Sequence, residues 1–309
     1  MRISKVGGVI AAASKKDAQP LLQVGTISVI RRIVISYQQA GIFPIVVITG
    51  AEKDEVKRQL SGYGVIFLEN DEPEQPELMA SVRIGLSYLY GKCERVAFTP
   101  VNTPMFTPTT LLMLMNTPGD IVVPSYQGRG GHPVLLSEQV IPELLDYQGG
   151  EGLRGAMAAS GAERVWVNVD DRGVLLSVHD AAELDAQLKE HNAAILHPVL
   201  HMRMEKELPF FNERLKVLLF LIANRYSIRK GCACTGLAYS KAWEMINQLE
   251  QNLGYLVVDR QRGGKGGGGT SLTPQGERFL LAYQQFEEEI HQIAQKEFRK
   301  RFIYTKIIQ

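Results

Sequence analysis

The 309-residue sequence predicts two parts of different build. The first is α/β, a mostly parallel sheet with helices on both faces, and the second is a helix-rich segment of roughly 100 residues. Three observations carry this expectation. Over the first part, short β-branched runs alternate with stretches of helical spacing, the pattern of strand–helix–strand units. Near Phe210 the pattern changes to helix after helix, followed by two short extended segments around a glycine run. The charge changes with it: up to Met202 there are 17 basic and 22 acidic residues, and beyond it 17 basic and 11 acidic, so a part of charge −5 precedes one of +6.

Taken in order, the strands expected in the first part are Gly8–Ala12, Pro44–Thr49, Val65–Leu68, Val96–Thr99, Ile121–Pro124 and Val165–Val169. Ser28–Ala40, Gln75–Tyr90 and Thr107–Met115 have the spacing of one-sided helices. In open parallel sheets ligands sit beyond the carboxyl ends of the strands, which directs attention to the loops after Ala12 and Thr99. The expected domains are 1–192, a linker over 193–209 punctuated by Pro198 and Pro209, and 210–309. In the last of these, helices are expected over Asn212–Asn224, Ile228–Cys234 and Ser240–Leu253, with a turn at Thr235-Gly236. Extended segments follow at Leu256–Val258 and Ser271-Leu272, on either side of the glycine-rich stretch Gly263–Gly269. Thr273-Pro274 then reads as an N-cap with proline at the first helical position, opening a long helix to about Arg301.

Composition narrows the function classes. The longest apolar run, Val217 to Ala223, is far short of the ~20 residues a membrane span needs, and the N-terminus lacks a signal-peptide core, so no membrane partner is expected. Three cysteines, an odd number without paired spacing, fit a reducing cytoplasm. His179, His191, His197 and His201 match no common ligand spacing, and no metal site is expected. The basic second part points to an anionic partner, with nucleic acid first.

Helix, helix, turn, helix and hairpin is the order of a winged helix-turn-helix, whose third helix presents its N-terminal side chains to base edges. Those side chains would be Tyr239, Ser240, Lys241 and Glu244, with Asn247 and Gln248 further along, while Ala242, Trp243, Ile246 and Leu249 would face the core. Ala238 to Ile246, the run Gly263 to Gly269 with Lys265 inside it, and Leu272 to Gly276 closely resemble the N-terminal domain of the molybdate-responsive ModE regulators, within the LysR-type winged helices. The resemblance implies double-stranded DNA as partner, contacted also by Lys265, and binding as a dimer. It brings no molybdate-binding module of that family into view. Phe279, Tyr283, Phe286, Ile290 and Ile293 alternate at four and three residues, the period of a coiled-coil seam, so a homodimer through this helix is expected.

In the first part, Val9 to Ala12, Leu21 to Gly25, Ser81 to Leu86, Arg129 to Leu135 and Val169 to Leu175 resemble segments of the MobA-like molybdenum cofactor nucleotidyltransferases, as does the closing helix with Glu183-Leu184. The resemblance implies a nucleotidyltransferase-like Rossmann variant. It does not bring the chemistry with it. Nucleotidyl transfer needs a glycine-rich loop to cradle a triphosphate, cations to neutralise it and a carboxylate for Mg²⁺. Here the loop region Ala11 to Gln19 is shorter, Ala13 stands for the key glycine, Gln19 for the lysine, and Asn102 for the metal aspartate. Of the later acidic motif only Asp180 is acidic, at a shifted position where it would cap the next helix.

The sequence therefore leads to a dimeric cytoplasmic DNA-binding transcriptional regulator of molybdenum- or molybdopterin-related genes. Its degenerate nucleotidyltransferase domain would serve as ligand sensor or scaffold, with no catalytic residues and no cofactor. Ala13, Ser14, Gln19, Asn102 and His132 would line the ligand site, for a molybdopterin or nucleotide effector. The alternative is a bifunctional cytidylyl- or guanylyltransferase that also regulates.

Overall fold

A computed structural model describes residues 4–13, 19–70, 78–260 and 270–303. The chain divides into two compact units, the first up to Leu60 and from Phe67 to Leu196, the second Ser61–Ile66 and from His197 onwards.

The first unit opens with β1 (Ser4–Ala12), the two-residue strands β2 (Gln23–Val24) and β3 (Ile27–Ser28), α1 (Val29–Gln39), β4 (Ile45–Thr49) and α2 (Lys53–Gln59). It continues through β5 (Ile66–Glu69), α3 (Leu78–Leu89), β6 (Cys93–Pro100), α4 (Pro108–Asn116), β7 (Ile121–Tyr126), β8 (Arg129–Gly130) and β9 (Val134–Ser137). Helices α5 (Ile141–Asp146) and α6 (Gly152–Ala159), strand β10 (Arg164–Asn168) and helix α7 (Ala181–Ala194) complete it. The sheet runs β10-β7-β9-β6-β1-β4-β5, with β8 pairing on β7. β1 pairs in parallel with β4 and β6, and β7 with β10, as the strand–helix alternation predicts. Val9, Ile10, Val46, Val47 and Ile48 are fully buried, which explains near-continuous apolar runs in place of alternation.

Two strands depart from the parallel pattern. The two-residue β8 pairs antiparallel with β7, and β9 lies antiparallel between β6 and β7. The reversal begins at a tight turn, where Gln127 (φ 50°) and Gly128 (φ 79°) both take positive φ between the paired residues Tyr126 and Arg129. Two consecutive positive φ values define the type I′ hairpin, whose twist matches that of its strands.

In the second unit a ribbon of β11 (Met204–Glu205) and β12 (Pro209–Phe211) precedes α8 (Glu213–Ala223), α9 (Ile228–Thr235) and α10 (Tyr239–Leu253). The stretch expected as linker thus contains the end of α7 and this ribbon. Asn212 caps α8, accepting from Leu215 N at 3.2 Å, and Ser227 caps α9, accepting from Lys230 N at 3.2 Å. Gly236 (φ 65°) ends α9 in the left-handed conformation that makes the turn into α10. The antiparallel stem β13 (Val258–Arg260) and β14 (Thr270–Leu272) leads to α11 (Pro274–Phe298), capped by Thr273 with Pro274 in the first turn. No described helix is long and apolar enough to cross a membrane.

Candidate ligand cleft and nucleic-acid interface

Three expected ligand-site residues meet at one edge of the first unit's sheet. Val101 N donates to Ala11 O at 2.9 Å, so Asn102 emerges beside the end of β1, where Ala13 follows. β9 pairs Val134 with Phe98, which places His132, two residues earlier, at the same carboxyl end of β6. Ala13 is buried, its carbonyl so close that a Cβ on Gly50 would lie 2.7 Å from it. Gln19 is exposed and its carbonyl accepts from Leu22 N at 3.1 Å. Ser14 lies outside the described residues, as do Lys15 and Lys16.

The backbone of this edge is interlocked. Gly131 approaches the Val174 carbonyl so closely that no Cβ fits, and His132 N donates to that carbonyl at 2.9 Å. Gly173 has the same relation to the Met105 carbonyl, and Val178 N donates to Asn102 O at 2.8 Å. The segment around 171–178 is thereby threaded between the loops after β6 and β8. Asp171 pins it: its Oδ2 accepts from Thr107 N (2.8 Å), Thr107 Oγ1 (3.0 Å) and Thr110 Oγ1, while Oδ1 accepts from Gly173 N at 2.9 Å. These bonds fasten the segment to the N-terminus of α4.

The edge does not suit a phosphate-bridging divalent cation. Such an ion takes hard oxygen ligands, carboxylates foremost. Asn102 offers an amide, whose Oδ1 lies 3.4 Å from Thr103 Oγ1, and Asp171 already has both oxygens engaged. Asp180 does not cap α7 as expected; its carboxylate accepts from Ser177 N at 3.3 Å and closes the preceding turn. Among the described residues no three His, Cys, Asp or Glu side chains cluster as a metal site.

His132 is half-buried, with Phe98 edge-on at 6.2 Å, and burial pushes its pKa down to about 4. Its Nδ1 is buried without a hydrogen-bond partner among the described residues. At neutral pH it therefore offers a hydrogen-bonding imidazole and no charge.

Sequence reasoning missed Arg32 in α1, which is 1% exposed. Its Nε donates to Val24 O at 2.9 Å, and its Nη1 to Asn192 Oδ1 at 2.9 Å and to His191 Nδ1 at 3.1 Å. His191 Nε2 lies 3.2 Å from Phe106 O, so His191 is the tautomer protonated at Nε2. Burial, and then the Arg32 charge, lower its pKa to about 4. The available signal was an arginine sharing its helical face with Val29 and Ser36, both buried.

In the second unit, Tyr239, Ser240, Lys241, Glu244 and Asn247 are exposed on one side of α10 and Gln248 is half-buried, while Ala242, Ile246 and Leu249 are fully buried. Lys241 pairs with Glu244 at 2.7 Å on the surface. Trp243 departs from its expected core position. It is half-buried, with Tyr239 edge-on at 6.4 Å and the Arg260 guanidinium over its ring at 4.8 Å. Arg229 and Lys230 are exposed in the first turn of α9; Arg229 lies 5.9 Å over the Tyr239 ring, and Lys230 lies 4.7 Å over that of Tyr226. Lys265 lies outside the described residues. The expected seam of α11 divides: Phe279 and Tyr283 pack edge-on against Phe211 at 4.9 and 4.7 Å, whereas Phe286 and Ile293 are 53% and 59% exposed.

Sheet order and crossovers define the first unit as a mostly parallel α/β domain with a nucleotidyltransferase-like fold, and the second as a helical unit with a two-stranded hairpin. Residues 15–165 match the family model described as the MobA-like NTP transferase domain. A nucleotidyl transferase from Methanothermobacter thermautotroptrophicus superposes with a TM-score of 0.52 at 20% identity, covering 62% of this chain and 98% of that one. The Rv0371c protein of Mycobacterium tuberculosis does so at 0.51 and 21%, covering 61% and 99%. At these identities the likeness establishes the fold alone. The DNA-binding transcriptional dual regulator ModE of Escherichia coli is 37% identical over 100 residues, 32% of this chain and 36% of that protein. The molybdenum-pterin-binding protein MopB of Rhodobacter capsulatus is 39% identical over 70 residues, 23% of this chain and 26% of that protein. The chain thus spans about a third of the length of the curated regulators it matches.

Proposed function

We propose that this protein is a DNA-binding transcriptional regulator of molybdenum-related genes, with its nucleotidyltransferase-type domain serving as ligand sensor or scaffold. The observation that carries the reading is the surface of α10. Tyr239, Ser240 and Lys241 stand exposed at the start of a helix that follows the turn at Gly236, with the β13–β14 stem behind it, in a segment that resembles ModE. That is the placement of a winged helix-turn-helix recognition helix. Lys241, Arg229 and Lys230 supply phosphate-binding charge, Asn247 and Gln248 extend the reading face, and Lys265 adds a cation on the glycine-rich stretch. The exposed Phe286 and Ile293 are the surface for a second copy of the chain. At the sheet edge, Asn102, Ala13 and the neutral His132 favour binding over catalysis, and molybdopterin or a nucleotide is the effector class that fits the two resemblances.

The test is selection of duplexes from a random-sequence pool followed by gel shifts. Lys241→Ala and Lys265→Ala should each weaken binding and reduce the dependence of log K on log salt by roughly one unit. Equal binding by the wild type and the double variant would refute the interface. Pyrophosphate release from CTP or GTP, dependent on Mg²⁺ and a pterin acceptor, would establish the bifunctional enzyme in place of the sensor.

A further inference from the structure

We propose that Arg260 is a positioning residue for nucleic-acid binding, clamping the hairpin stem to α10, and not a phosphate contact. The proposal rests on the DNA-binding reading above. Arg260 closes β13 opposite Thr270, the first residue of β14. Its Nη2 donates to Asn247 Oδ1 at 2.7 Å and to Glu250 Oε2 at 2.9 Å, while its guanidinium carbon lies 4.8 Å from the Trp243 ring centroid. Trp243, Asn247 and Glu250 follow at intervals of four and three along α10, so a single guanidinium spans two turns of one helix face.

The far end of the strand is tied to the same carboxylate. Glu250 is 7% exposed, and its Oε1 accepts from Val257 N at 2.9 Å and Val258 N at 3.0 Å. One acidic side chain thus holds the entrance to β13 through two amides and its exit through Arg260. A phosphate drawing Arg260 away would leave a buried carboxylate without its countercharge and strip the indole of its cation, so the clamp is the state that persists in the complex. Lys241 differs: Glu244, with which it pairs, is as exposed as itself, and an exposed pair of this kind yields readily to a phosphate. The bond to Asn247 also orients that amide, turning its oxygen toward Arg260 and leaving the NH₂ group as the donor for a base or phosphate acceptor.

Salt dependence separates positioning from contact, because only a lost phosphate contact changes the number of counterions released. The probe is a duplex enriched by the full-length wild-type protein from a random-sequence pool, bound between roughly 50 and 200 mM salt. Arg260→Ala should lose about tenfold in affinity with the salt slope unchanged, whereas Lys241→Ala flattens the slope by about one unit. Glu250→Gln retains an oxygen for the two amides but loses the charge that holds Arg260, and it should weaken binding as well. It carries the test if circular dichroism shows Arg260→Ala to be unfolded. A slope reduced by about one in Arg260→Ala, or tighter binding by Glu250→Gln through a liberated Arg260, would overturn the clamp. Unchanged affinity in both variants would also overturn it. Failure of the wild type to enrich any duplex would instead refute the DNA-binding function itself.

Discussion

His191 gives the first unit a built-in sensitivity to acid. The imidazole is 1% exposed, receives a hydrogen bond from Arg32 at Nδ1, and holds its one proton toward Phe106 O. Burial penalises a second proton, and that proton would also face the guanidinium, so the native pKa stands at about 4 against 6.5 for the free side chain. The unfolded chain therefore binds more protons than the native one between these values. Stability is complete above pH 6.5 and falls as the pH drops toward 4. At a pH of about 4.5 the linkage amounts to roughly 2–3 kcal/mol for this one group. His191→Gln can accept from Arg32 and donate to Phe106 but cannot titrate. In a Trp243→Phe background the remaining tryptophan, Trp166, lies in the first unit and reports its urea transition. Between a pH of about 7.5 and one of about 4.5, the protein with its native histidine should lose roughly 2–3 kcal/mol more than the His191→Gln variant. Parallel losses in the two proteins would refute the buried neutral imidazole.

Two further outcomes follow from the second unit. Lys216 Nζ lies 2.7 Å from both Glu213 and Glu287, with its side chain 5% exposed, so Lys216→Met should cost about 3 kcal/mol at neutral pH by leaving two carboxylates uncompensated. Burial raises the pKa of Glu213, so that loss should shrink as the pH falls and Glu213 takes up a proton, and a pH-independent loss in urea titrations would contradict the ion-pair account. Phe286→Glu with Ile293→Glu should convert a dimer to a monomer in sedimentation and weaken operator binding by more than about tenfold, ~1.4 kcal/mol; an unchanged dimer places the interface elsewhere.

The sheet was largely legible because its central strands β1 and β4 are buried on both faces and read as apolar runs separated by helical periods. β9 was not, since Val134–Ser137 is apolar whichever way it runs. Its direction is set by the positive φ values at Gln127 and Gly128, which a Gln-Gly pair signals less clearly than Asn-Gly. Sequence expected Ala13, Asn102 and His132 in one site, and pairing registers bring these three to the same end of the sheet. Sequence did not show that His132 is held neutral, nor that Asp171 serves α4, because both depend on what surrounds them in three dimensions. On α10 the helical period sorted most inward from outward positions. It misplaced Trp243, whose ring supports Arg260 from another element. In α11 the period alone did not divide the expected seam, because Phe211, distant in sequence, claims Phe279 and Tyr283.

The threaded backbone at the sheet edge separates architecture from chemistry. Gly131, Gly173 and Asp171 hold the loops in place through backbone approach and hydrogen bonds to α4, whereas Asn102 joins that frame through its main-chain oxygen. The residues that would tune a ligand site can therefore drift without unravelling the edge that presents them. In a domain organised this way, the groups that set the chemistry of the edge are separable from the groups that hold its shape.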